Sequence, residues 1–194
     1  MEKSLGIQEL PISINEYCDA KHELEGQPGS SARFIGKFER YKIDSAMITW
    51  WFVQYPGRLG SLLASDTQKG AGWFLYKWYG DMTGDMVSVT PPNDNSNQVD
   101  GAACVDSDQQ YISFIVGGPN DGSINADFKN VPSFIGSNAK VKIEKIDWVN
   151  KDTASNGPNT VSEKNYSVSN GQLSVKIEGT NSNSGYRIYI TKGE

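Results

Sequence analysis

The sequence predicts a mainly β protein: an antiparallel β-sandwich over residues 85–194, preceded over residues 1–84 by an α/β segment. Three observations predict it. Beyond Asp85 the apolar residues fall in short alternating runs, such as Leu173, Val175 and Ile177, or Tyr186, Ile188 and Ile190. That is the period of strands with one buried face. Asn170-Gly171 between two such runs is a hairpin signal. Before Asp85 the order is helix end, strand, helix, strand, helix, which is the rhythm of βα units with parallel strands.

The elements follow in order. Residues 1–6 read as a helix end stopped at Gly6. Residues 11–17 hold Ile12 and Ile14 behind Pro11 and read as a buried strand, with Glu16 at its C-terminal end. A polar loop at 19–29 contains Asp19, His22, Glu23 and Glu25. Ser30 or Ser31 is expected to cap a helix running to Tyr41, with Phe34, Ile35, Phe38 and Tyr41 on its apolar face. Residues 46–53 form a nearly continuous apolar run, as in a strand covered on both faces. A helix is expected over 69–83, with Ala71, Phe74, Leu75, Trp78 and Met82 on one side and Gly84 as its stop. Strands are then expected at 86–90, 102–105, 111–117, 123–128, 141–148, 165–168, 172–178 and 186–191. In the fifth of these, Val141, Ile143, Ile146 and Trp148 break alternation, which suggests a bulge or bend. Asp121-Gly122 and Ser184-Gly185 mark further turns. Evenly spaced short strands of this kind argue a sandwich.

Composition narrows the function. With 37% hydrophobic and 21% charged residues, 194 residues can bury a core. The net charge of -5, with no basic run, argues against nucleic acid and anionic membranes as partners. Cys18 and Cys104 are far apart and His22 is the single histidine, so no metal site or cofactor is expected. No secretory-signal pattern and no membrane-spanning apolar run is read.

Particular residues carry a family resemblance. Leu5-Gly6-Ile7, Leu10-Pro11-Ile12 and Asn15-Glu16-Tyr17 resemble the seventh strand of clan A retaining glycoside hydrolases built on (β/α)8 barrels, of the family 39-like and 51-like kind. Thr49-Trp50-Trp51 fits the eighth strand. Gly60-Ser61-Leu62-Leu63, Lys69-Gly70-Ala71-Gly72-Trp73 and Tyr76-Lys77 resemble the passage into the last helix. The stretch 81–87 resembles the exit into the C-terminal sandwich these enzymes carry. Asp100-Gly101-Ala102-Ala103, the run 112–118 and Tyr186-Arg187-Ile188-Tyr189 are similar to strands of that sandwich.

The resemblance implies two units. Residues 1–84 would hold the last two βα units of a TIM barrel, and residues 85–194 the sandwich. It implies that Glu16 is the nucleophile, that Tyr17, Trp50 and Trp51 contact sugar, and that the partner is an oligo- or polysaccharide of plants or microbes. A retaining glycosidase needs a second carboxyl about 5–5.5 Å from the first. The clan carries that acid/base on its fourth strand, after an asparagine, and nothing here matches it. Asp19, Glu23 and Glu25 lie on a loop without a supporting shell. The chain is therefore expected to be the C-terminal part of a longer hydrolase of β-linked glycans and inactive alone.

Two alternatives stand beside it: a carbohydrate-binding sandwich, which needs an exposed aromatic platform, and a sandwich that only stabilises the barrel. Trp78 and Trp148 read as core, and Trp73 as cover for the junction. Phe34, Phe38 and the run 48–52 would be uncovered in a partial barrel, so a homo-oligomer is expected.

Overall fold

A computed structural model describes residues 2–8, 10–19, 24–48, 62–94, 98–119 and 122–194. After a 3-10 helix, Glu2–Leu5, closed by Gly6 in the left-handed region (φ 68°), the chain forms a βαβ unit. Its parts are β1 (Ser13–Tyr17), α1 (Pro28–Arg40) and β2 (Ser45–Ile48). β1 and β2 pair in parallel, with Ser13 opposite Ser45 and Ile14 opposite Ala46. The Ser13 and Ser45 hydroxyls lie 2.5 Å apart, and the Asp44 amide donates to the Ile12 carbonyl at 2.9 Å.

α1 starts three residues earlier than a cap at Ser30 suggested. Pro28 occupies its first turn, where a missing N–H costs nothing, and extended Gln27 precedes it. Ser30 and Ser31 are buried inside the helix instead of capping it. The loop before α1 is also not simply solvated. The Gln27 side chain donates to the Asn183 carboxamide (3.1 Å) and the Gly29 amide to the Asn183 carbonyl (3.1 Å), and Glu25 is buried. α2 (Ala71–Gly80) is shorter than the apolar spacing predicted. Gly70 is extended before it and Asp81 caps it, while Gly84 already lies against the Val105 carbonyl.

The expected β region is present. β3 (Asp85–Val87), β4 (Asp100–Asp106), β5 (Tyr111–Gly117), β7 (Asn138–Ile146), β8 (Asn159–Ser167) and β10 (Gly185–Lys192) make an antiparallel sheet in the order β3-β4-β5-β10-β7-β8. β6 (Gly122–Lys129) and β9 (Gln172–Thr180) make a second, two-stranded sheet. Between the sheets lies one core, including Ile112, Val116, Ala139, Val141, Ile143, Leu173, Val175, Ile177, Ile188 and Ile190.

Asn170 (φ 50°) and Gly171 (φ 69°) do form the left-handed turn expected of Asn-Gly. The strands it joins are not hairpin partners, however. β8 pairs with β7 and β9 with β6, so the turn carries the chain from one sheet to the other. The broken alternation in β7 has a related cause. Val141 and Ile143 face the second sheet, whereas Ile146 belongs to a second core on the opposite face. The strand is apolar on one side and then on the other because each side is covered there. A bulge also occurs, where β8 holds Val161 between the partners of Ile143 and Glu144. Trp148 follows the strand and packs into the second core, not between the sheets.

That second core joins the two segments. Ala32 and Ile35 of α1 and Ala71, Leu75 and Trp78 of α2 pack on Ala102, Ile115 and Ile146. The molecule is thus layered as helices, six-stranded sheet and two-stranded sheet. α1 reaches the sheet through glycines: a Cβ on Gly36 would lie 2.6 Å from the Gly101 carbonyl oxygen, and one on Gly117 would lie 2.7 Å from Gly29 Cα. Charged side chains border the contact. Arg40 of α1 makes a forked pair with buried Asp100 of β4 (3.0 and 2.6 Å) and also binds Asp94 (2.6 Å).

Candidate functional site at the end of strand β1

The stretch 11–17 is less buried than its apolar run predicted: Ile12, just before β1, is 55% exposed. Among the described residues β1 pairs only with β2, and α1 covers one side of it. At its C-terminal end the register shifts. Ile14 pairs with Ala46 and Tyr17 with Ile48, so three steps on β1 match two on β2. This is a bulge at Asn15–Glu16, and a bulge re-aims the side chain it carries.

The bulge places Ile14 and Tyr17 inward and leaves Asn15 and Glu16 exposed. Tyr17 enters an aromatic cluster. Its ring lies edge-on to Phe38 at 4.8 Å and tilted to Phe34 at 5.2 Å, and its hydroxyl bonds that of Tyr76 on α2 at 2.7 Å. Burial, then the neighbouring Tyr76, raises the Tyr17 pKa above that of a free phenol, so it stays protonated. Phe34 and Phe38, expected to be uncovered, are half-buried here because Tyr17 lies on them. Tyr17, which the resemblance placed on the sugar, is a strand anchor among the helices in this structure. Tyr17→Phe should lower stability by about 1 kcal/mol, the usual net worth of one hydrogen bond; urea unfolding measures it.

The neighbouring acids divide. Asp19 accepts from Ser30 Oγ (2.5 Å) and from Arg33 (2.9 Å), which ties the loop to α1. Glu25 is buried at the start of that helix. Neither is brought to Glu16 by a contact in the structure. Glu23, His22, Trp50 and Trp51 lie outside the described residues. Among the described residues, no group of three or more His, Cys, Asp or Glu is placed to hold a metal ion.

The remaining tryptophans form no row. Trp78 is buried against the sheet. Trp148 is half-buried beside the helices, and Trp73 packs on Phe74 (5.0 Å) under Lys69 (3.6 Å). The bulge escaped the sequence because Ile14 and Tyr17, three apart, fit neither strand period. The helix–sheet seam was missed as well, because Gly29 was read as loop; its signal is that Gly29 and Gly36 are seven apart, on one face of a helix.

No family model matches the chain. Two curated relatives do, both from bifidobacteria. One is a 3-O-alpha-D-galactosyl-alpha-L-arabinofuranosidase of Bifidobacterium longum subsp. longum, 27% identical over 98% of this chain. The other is a 3-O-beta-L-arabinopyranosyl-alpha-L-arabinofuranosidase of Bifidobacterium pseudocatenulatum, 25% identical over 98%. The chain spans 17% and 21% of their lengths. Among solved structures, N2152 from Neocallimastix frontalis matches with a TM-score of 0.96 and 76% identity, over 99% of this chain and 48% of that one. A glucosidase from Croceicoccus marinus matches at 0.66 with 12% identity, over 99% of this chain and 48% of that one. A GH39 enzyme from Xanthomonas axonopodis pv. citri matches at 0.59 with 10% identity, over 96% and 46%. The fold is that of the C-terminal portion of clan A glycoside hydrolases. The expected relation to glycosidases, and the mainly β architecture with two helices in its α/β segment, are borne out.

Proposed function

We propose that this chain is the C-terminal part of a retaining glycoside hydrolase acting on O-glycosidic bonds of plant or microbial glycans, with Glu16 as its nucleophile. The observation that supports it most is the bulge at Asn15–Glu16, at the C-terminal end of a parallel strand that leads into a helix. Active sites of parallel barrels lie at that end of the strands. Tyr17 holds one side of the strand against α1 and α2, which leaves Glu16 outside this aromatic cluster.

In this reading the Glu16 carboxylate attacks the anomeric carbon and forms a glycosyl ester as the bond to the leaving oxygen breaks. A second carboxyl, outside these residues, protonates that oxygen and then activates the water that cleaves the ester. Trp50 and Trp51 supply the sugar-stacking surface in this reading. Residues 1–84 contribute the barrel part and residues 85–194 the sandwich, whose role is to brace the helices. The relatives' names make arabinofuranosides the first substrates to try. The chain alone is expected to turn over none of them.

The test uses the longer open reading frame that contains these residues. An activated 2-deoxy-2-fluoroglycoside should leave its sugar on the peptide bearing Glu16, seen by mass spectrometry. Glu16→Gln should lower kcat roughly 10^4-fold, with azide restoring part of the rate. Label on another carboxylate, or full activity of E16Q, would sink the assignment.

A further inference from the structure

Asn165-Tyr166-Ser167 in β8 has the form Asn-X-Ser/Thr with X other than proline, the pattern on which N-linked glycans are placed. No other asparagine of the sequence has Ser or Thr two places on. A three-residue match acquires meaning only from where the fold puts its side chains. Asn165 is exposed. It pairs with Lys140 of β7, and Tyr166 pairs with Ala139. Ala139 is buried in the core between the sheets, and Tyr166 packs against that core. Successive residues of a strand face opposite ways, so Asn165 points out of the other face of the six-stranded sheet. On β7 the helices cover that face at Ile146. Lys140 lies six residues before Ile146, or ~20 Å along the strand, and its side chain is half-exposed. β8 is also the end strand of its sheet, with β7 as its one paired neighbour among the described residues. Asn165 therefore has room for a bulky group both above the sheet and beside it.

We propose that Asn165 is the acceptor of an N-linked glycan, carried on the outer strand of the sheet away from the helices. The donor is an oligosaccharide linked to a lipid pyrophosphate. The bond from the anomeric carbon of its first sugar to phosphate breaks, and that carbon bonds to Asn165 Nδ2. The lipid pyrophosphate leaves with the electron pair, and Nδ2 gives up one proton; nothing is oxidised or reduced. The inference rests on the function proposed above in one respect. An enzyme acting on plant or microbial glycans meets its polymers outside the cell, so its chain crosses the membrane at which such transfer takes place. Tyr166 keeps its place against the core while its neighbour carries the sugar, so the folded strand tolerates the modification.

The test uses the longer open reading frame, secreted from yeast behind a leader peptide. The intact protein is treated with peptide-N-glycosidase in heavy-oxygen water and then cut into peptides for mass spectrometry. Release of a glycan converts its asparagine to aspartate, so position 165 should be read as aspartate bearing the heavy oxygen. Ser167→Ala keeps Asn165 but removes the hydroxyl that transfer requires, and should lose the label. Ser167→Thr restores a hydroxyl and should retain it. The inference is overturned if the wild-type peptide still holds unmodified asparagine. It is equally overturned if the label is undiminished in Ser167→Ala, which would make it ordinary deamidation. Labelling of Glu16 by the fluoroglycoside is read on a different peptide. Bare Asn165 beside a labelled Glu16 removes only this inference, and glycosylated Asn165 beside an unlabelled Glu16 removes only the nucleophile.

Discussion

Gly36→Val should destabilise the protein by at least about 3 kcal/mol, the upper part of the range for overpacking a tight contact. A Cβ at position 36 would meet main-chain atoms of Gly101 at 2.6 and 2.7 Å and the Asp100 carboxylate at 2.7 Å. Backbone cannot rotate away as the end of a side chain can. α1 would have to lift from β4, which strains the Arg40–Asp100 fork and opens the core around Ala32 and Ile35. Helix propensity acts in the other direction, since valine costs less than glycine inside a helix, but by at most about 1 kcal/mol. Gly80→Ala gives the contrast. Gly80 ends α2 with nothing within 4 Å of its missing Cβ, so that change should be neutral or slightly stabilising. Urea midpoints of the two variants measured side by side decide the matter. Equal midpoints would show that α1 does not rest on the sheet in this way.

The second large effect is expected at Glu144. It sits on β7 opposite Arg187 of β10 and accepts its Nε (2.7 Å) and Nη2 (2.5 Å) on one oxygen. Lys142 reaches the other oxygen at 2.8 Å. The guanidinium lies 5.0 Å from the Trp78 ring centre and 5.3 Å from that of Tyr189. Glu144 is buried, so Glu144→Ala leaves a largely enclosed cation without its partner, at a cost of about 3 kcal/mol. Replacing both residues, as Glu144→Ala with Arg187→Met, should cost less than the sum of the single changes, because the orphaned charge is then gone. Arg187→Lys should not substitute, since an ammonium has neither the planar fork for the carboxylate nor a flat face to lay between the Trp78 and Tyr189 rings. Additive losses in the double-mutant cycle would reduce the pair to ordinary surface charges.

What the sequence disclosed about this fold depended on how local the cause was. Leu173, Val175 and Ile177 alternate because one face of β9 is buried, and that needs no knowledge of a partner. The turn at Asn170-Gly171 is equally local. Which strands it separates is not, because β8 pairs back with β7, the strand before it, while β9 pairs with the distant β6. Pro28 outranked Ser30 as the start of α1 since the proline ring fixes the backbone, whereas both serines were wanted inside. Trp148 looked like sandwich core until the helices supplied a second face for it to cover. Glu16 was conspicuous as an acid at a strand end. The bulge that turns it is a property of the β1–β2 register and is written in neither strand alone.

The seam between α1, α2 and the six-stranded sheet also has a mechanical meaning. Strand β1 is pinned to α2 through Tyr17 and Tyr76, and α2 rests on the sheet through Leu75 and Trp78. A displacement of the sheet would therefore be handed on to the bulge through side chains packed without slack, so this part of the protein would transmit strain as a stiff bracket does. Swapping the β region for that of a protein of the same fold, with the junction at residue 85, would keep the chain continuous yet separate Gly36 from Gly101 and Trp78 from Arg187. Such chimeras should survive only when the two helices travel with the sheet on which they were fitted.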